Sequence, residues 1–139
     1  MTRNSLGFLL VGCVIFLMTA PLVAHHSFDA EFDRTKPIKF EGKIAKVDWM
    51  NPHIYVHVDV TGSDGKVTRW ACIGGAPNAL FRQGLRKEAI IVGETVKVDG
   101  YLAKKSDLHY VNGSVTYLDG RSIFRAATGG GAPGNPTNQ

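Results

Sequence analysis

From His53 to Val60 the chain reads HIYVHVDV, and every second residue is a branched aliphatic. In an extended chain successive side chains point to opposite faces, so Ile54, Val56, Val58 and Val60 share one face. His53, Tyr55, His57 and Asp59 share the other. A helix would scatter the four aliphatics around its axis. The segment is therefore a half-buried strand, and a strand of this kind needs a sheet with one face on a core and one toward water.

The same two-residue period recurs along the chain. Ile38, Phe40, Ile44 and Val47 alternate through IKFEGKIAKVDW, with Gly42 and Ala45 where the register changes. A glycine there predicts a bulge or a sharp bend in a long first strand. SDGK, Ser63 to Lys66, is a hairpin turn centred on Asp-Gly, and VTRWACI follows as the third strand. The period then breaks at APNALFRQGL. Pro77 suits a first helical position, Leu80 and Phe81 are candidates for the core, and Gly84 ends the helix. Strands resume as TVKVDGYLAKK and as LHYVNGSVTYLDGRSIF, the latter interrupted by a turn at LDGR. Three strands, one short helix and two strands predict an all-β fold, an OB-fold-like five-stranded Greek-key barrel. Another small barrel or sandwich is the alternative. Ile54, Val56, Val58, Leu80, Phe81, Val96 and Val98 are expected in the core, with a helix over Pro77 to Gln83.

Both ends differ from this middle. Residues 1–24 have the form of a secretory signal: Arg3, an apolar run from Leu6 to Met18, Pro21, and small Ala24 before the cut. The apolar run falls short of the ~20 residues that span a bilayer, so no stable membrane anchor is expected after cleavage. LVGC, ending at Cys13, also has the form of a lipoprotein site, but the apolar stretch continues past it where a polar tether is normal. Residues 25–36 form a polar N-terminal arm, ordered or loose, 37–125 the folded domain, and 126–139 a Gly/Pro/Asn-rich tail expected to be disordered. The whole chain carries +4, and losing Arg3 leaves 4 − 1 = +3 on the mature protein. This charge permits an anionic partner in the cell envelope, and export to the periplasm argues against nucleic acid. Cys72 is then the only cysteine, so no disulfide supports the fold.

HHSFDAEFD, KPIKFEGKIAKVDWMNPH, GKVTRWACIGGAPNALFRQGL, VGETVKVDGYLAKK and VTYLDGRSIF together resemble a family of small exported bacterial proteins classed as a domain of unknown function. The recurring segments of that family fall on His25 to Phe28, Asn51 to His53 and Pro77 to Gly84. The chain departs from it at two positions, with Ala71 where an acidic residue is common and Leu85 where an aromatic one is. The resemblance implies export and a barrel fold, and implies no activity.

The five histidines are His25, His26, His53, His57 and His109. Cleavage after Ala24 makes His25 the first residue, and a terminal histidine offers two nitrogens, its α-amine and its ring Nδ1. One further imidazole completes a T-shaped brace, a nitrogen set with the tetragonal geometry that suits Cu(II). Copper is therefore the expected metal. His53 is the first candidate for the third ligand, with His26 and His109 as the other metal-binding candidates. His57 lies about 13 Å along the strand from His53, too far to share an ion without a bend. The stretch from His25 to Pro37 can extend about 43 Å, enough to fold back onto any of them. A bare solvated terminus is the plain alternative.

A second class of function rests on the sheet face. Tyr55, His57 and nearby Arg69 could hold a saccharide, an anionic envelope polymer or a protein partner, since that face of an OB-fold is a common binding surface. Ordinary polar alternation explains the same residues. Trp49 and Trp70 read as packing residues and Cys72 as a small buried apolar one. No nucleophile, base and orienting group occur as a set, so the chain is not expected to be an enzyme.

Overall fold

The computed structural model describes residues 28–105 and 109–126. The segment expected to be a secretory signal, His25, His26 and the tail from residue 127 lie outside these residues. The elements are α1 (Phe28–Glu31), β1 (Phe32–Asp48), β2 (Tyr55–Thr61), β3 (Val67–Ile73), α2 (Pro77–Arg82), a 3-10 turn (Lys87–Ala89), β4 (Thr95–Ala103), β5 (Tyr110–Tyr117) and β6 (Ser122–Phe124).

Antiparallel neighbours run β3-β2-β1-β4-β5-β6, and a parallel pairing of β3 with β5 joins the two ends of the five-stranded part. Ala71, Cys72 and Ile73 face Tyr110, Val111 and Asn112 in that parallel seam. The result is a closed ring of five strands with a helix after the third, the all-β, OB-fold-like layout expected from the sequence. Closure leaves β1 to β5 without a free edge over the paired stretches, which removes the hazard of exposed strand edges. Two elements go beyond the expectation: the short helix α1, and β6, which turns back at LDGR to pair Phe124 with Val115.

β1 is long enough to serve both neighbours, its first half pairing with β4 and its second with β2. It must bend to do so. The extra residue is Ala45, between Ile44 opposite Val58 and Lys46 opposite His57. Gly42 sits just before it, where a Cβ would stand 2.5 Å from the Asp59 carbonyl oxygen and 2.7 Å from Val58. Only a residue without Cβ allows the strands to approach this closely. The SDGK hairpin closes through Gly62 N–H donating to the Lys66 carbonyl, with Gly65 at φ +77°.

The inward row of β2 is fully buried at Ile54, Val56 and Val58, and Val96, Val98, Val111, Val115, Cys72 and Leu80 complete the core with Ile44, Phe124 and their neighbours. Phe81 corrects the expected core: it is 54% exposed. A six-residue helix lays one stripe on the ring, and that stripe is Pro77 and Leu80. Phe81 lies a further 100° around the axis, where the Arg86 guanidinium covers its ring at 4.5 Å.

The arm is ordered over its described part. Phe28 and Phe32 are buried with Ile73, and Tyr55, Tyr101, Ala103 and Tyr110 pack against them in a second, smaller cluster. The Lys104 N–H donates to the Glu31 carbonyl, continuing the attachment. Residues 28–36 thus belong to the folded unit, with β1 beginning at Phe32 rather than after the arm.

Candidate functional site

His53 stands immediately before β2, where the chain leaves the ring. The Ile54 N–H donates to the Gly75 carbonyl, and the Gly74 N–H donates back to the Ile54 carbonyl, so the β2–β3 pairing continues up to His53. Its ring Nδ1 lies 3.1 Å from the Gly74 carbonyl oxygen. A carbonyl can only accept, so Nδ1 is the donor, and in the neutral ring that tautomer leaves the Nε2 lone pair for another partner. Metal-binding histidines are commonly oriented in this way, with one ring nitrogen held by a carbonyl and the other on the metal.

The other described histidines are engaged differently. His57 Nε2 is 2.8 Å from Asp48 Oδ2, and Lys46 Nζ is 2.7 Å from the other oxygen of the same carboxylate. Hydrogen bonds from Lys46 first and then His57 hold the Asp48 carboxyl below its usual range. His109 precedes β5 at φ +44° and sets its ring edge-on against Trp70, with centroids 4.9 Å apart. Among the described residues no three His, Cys, Asp or Glu side chains gather to hold a metal.

The sheet-face residues are largely paired with one another. Tyr55 is half-buried and packs edge-on against Tyr110, with ring centroids 5.6 Å apart. Burial and the Tyr55 hydroxyl push the Tyr110 phenol above its ordinary range. Arg69 meets Asp59 through two parallel hydrogen bonds of 2.7 and 2.8 Å, directly across the β2–β3 ladder. Tyr55 is thus only partly open, where the alternating pattern had suggested an exposed ring. The cause is the arm, whose Phe28 and Phe32 join Tyr55 in one cluster.

A cleft of about 710 Å³ opens beside His53, between α2, the loop after it, and residues 122–126. The sequence contains no motif that announces it. It arises because Gly75, Ala76, Ala79 and Gly84 are small where α2 faces β6.

Neither a comparison with curated proteins nor one with solved structures gives a match. A family model matches residues 14–112, which span the arm, the ring up to the β3–β5 seam, His53 and α2. The chain therefore belongs to the family of unknown function DUF6152.

Proposed function

We propose that this chain is an exported periplasmic module that is cut after Ala24 and binds one Cu(II), in carriage or sensing. The ligands are the His25 α-amine, the His25 ring and His53 Nε2. The observation that carries the reading is the His53 ring itself, held by the Gly74 carbonyl with Nε2 left over.

The seat of the arm adds support. Phe28 is buried in one cluster with Ile73, the residue before Gly74. His25 is three residues upstream, and three residues of extended chain reach about 11 Å. On this reading the seat of Phe28 limits how far the terminal ligands can stand from that part of the ring. His57, bonded to Asp48, and His109, against Trp70, are less suited to the third position, and His26 is held in reserve. An all-nitrogen set in tetragonal geometry favours copper over zinc.

Protein recovered from the periplasmic fraction should begin at His25 by mass spectrometry. Cu(II) titration followed by electron paramagnetic resonance should then give one site with nitrogen ligation. An added Met ahead of His25 should weaken binding strongly, since the amine leaves chelating position. His53→Ala should weaken it as well, and His57→Ala should leave it nearly unchanged. Equal affinity with and without the added Met would reduce the histidine pair to a solvated terminus.

A further inference from the structure

The cleft beside His53 has a floor and a rim of different chemistry. Its floor is made by Leu80, Ile123 and Phe124, all at most 6% exposed and continuous with the main core. Such residues are fixed by packing on their other sides, so the floor is preformed. The polar lining is His53, Gln83, Ser122 and Arg125, and no lining residue carries a carboxylate. Arg125 forms no ion pair among the described residues. The cleft's volume, about 710 Å³, lies within the ordinary range for small-molecule sites.

From this we infer that the cleft binds a small organic acid, its apolar body on Leu80, Ile123 and Phe124 and its carboxylate against Arg125. An apolar floor alone would accept any greasy molecule. The guanidinium at the rim, with no ion pair among the described residues and no acid among the lining residues, favours an anion, and an arginine–carboxylate contact can be bidentate. Gln83 and Ser122 add neutral hydrogen-bonding groups. The site is separate from the proposed copper ligands except at His53, and its loading requires no metal.

The test uses the mature chain, stripped of metal by chelation, with 8-anilinonaphthalene-1-sulfonate as a fluorescent apolar anion. One site should be filled, and decanoate should displace the dye while decylammonium should not. Arg125→Glu should weaken dye binding about tenfold, the effect expected from losing one charge-assisted contact. Ala79→Leu, which keeps a good helix former on α2 while filling the cleft, should abolish it. Circular dichroism and thermal melting of both variants should match the parent, which separates loss of the site from loss of the fold. Equal displacement by decanoate and decylammonium, or unchanged dye binding in both variants, would overturn the proposal and mark the dye as resting on exposed apolar surface such as Phe81. Because metal is absent throughout, failure here leaves the copper reading standing, and failure of copper binding leaves this one.

Discussion

Cys72 shows how far the ring controls the chemistry of a single atom. It is fully buried between β2 and β5, facing Val56 on one side and Val111 on the other. With no charge or hydrogen bond to favour the thiolate, burial alone pushes the thiol up to about 12. Native protein at pH 8 should therefore resist a disulfide reagent such as 5,5′-dithiobis(2-nitrobenzoate) and should react at once when unfolded in guanidinium. The sign of the pH effect follows from the same shift. The folded value lies above the ordinary 9.0, so the contribution of this group to stability is complete below about 9 and is lost as pH climbs toward about 12. Melting temperature measured from pH 8 to 11 should fall more steeply for the parent than for Cys72→Ala. The burial of Cys72 could be read from its sequence position, since it shares an alternating register with Trp70. Phe81 could not be read so simply, because its neighbour Leu80 takes the one stripe that a short helix can bury.

At the level of the elements, the β-strands announce themselves wherever alternation sets one face against the core. The bend in β1 was equally legible, because glycine and alanine interrupt the larger residues where the register shifts. What alternation leaves open is which strand meets which. The β3–β5 seam that closes the ring is parallel and spans only three residue pairs, and nothing in a two-residue period specifies it. The pairing of β4 with β5 carries a stronger constraint in Gly100 and Gly113, which face each other directly. A Cβ on Gly113 would collide with the backbone of Asp99 and Gly100, and one on Gly100 with the backbone of Asn112 and Gly113. Neither backbone can yield without opening the ladder next to the seam. Gly113→Ala should accordingly destabilise the protein by about 2–4 kcal/mol, in the range of severe overpacking and strain. Gly65→Ala, in the open hairpin turn, should cost about 1 kcal/mol through its positive φ alone. Chemical denaturation of the two variants would rank them, and a Gly113→Ala protein as stable as Gly65→Ala would show that the β4–β5 contact is looser than its geometry indicates.

On the scale of the whole molecule, the arm decides what the sheet face can do. A solvated leader would have left Tyr55 more open, whereas the described arm packs against it, and on the copper reading the same seat of Phe28 would tether His25. Phe28 is the hinge of both effects. Its ring lies 5.4 Å from Phe32 and edge-on to Tyr101 at 5.7 Å, and the Arg34 guanidinium closes over it at 4.4 Å. This burial was not legible beforehand, because an isolated aromatic in a polar segment has no period to report it. The tether has a thermodynamic consequence for the proposed copper site. Two ligands on His25 and one on His53 bind as a unit only if the terminus is held near the ring, and a held terminus acts at a high effective concentration. Phe28→Ala should release that hold without touching the main core, whose buried members belong to a separate cluster. Its Cu(II) affinity should drop toward that of His53→Ala, by about tenfold or more, while Phe28→Leu should retain most of it. The spectroscopic reading is as informative as the affinity: nitrogen hyperfine structure from three donors in the parent should reduce to that of the terminal histidine alone in Phe28→Ala. If Phe28→Ala binds Cu(II) as tightly as the parent and with the same spectrum, the arm is a packing element only, and the third ligand does not depend on where it seats.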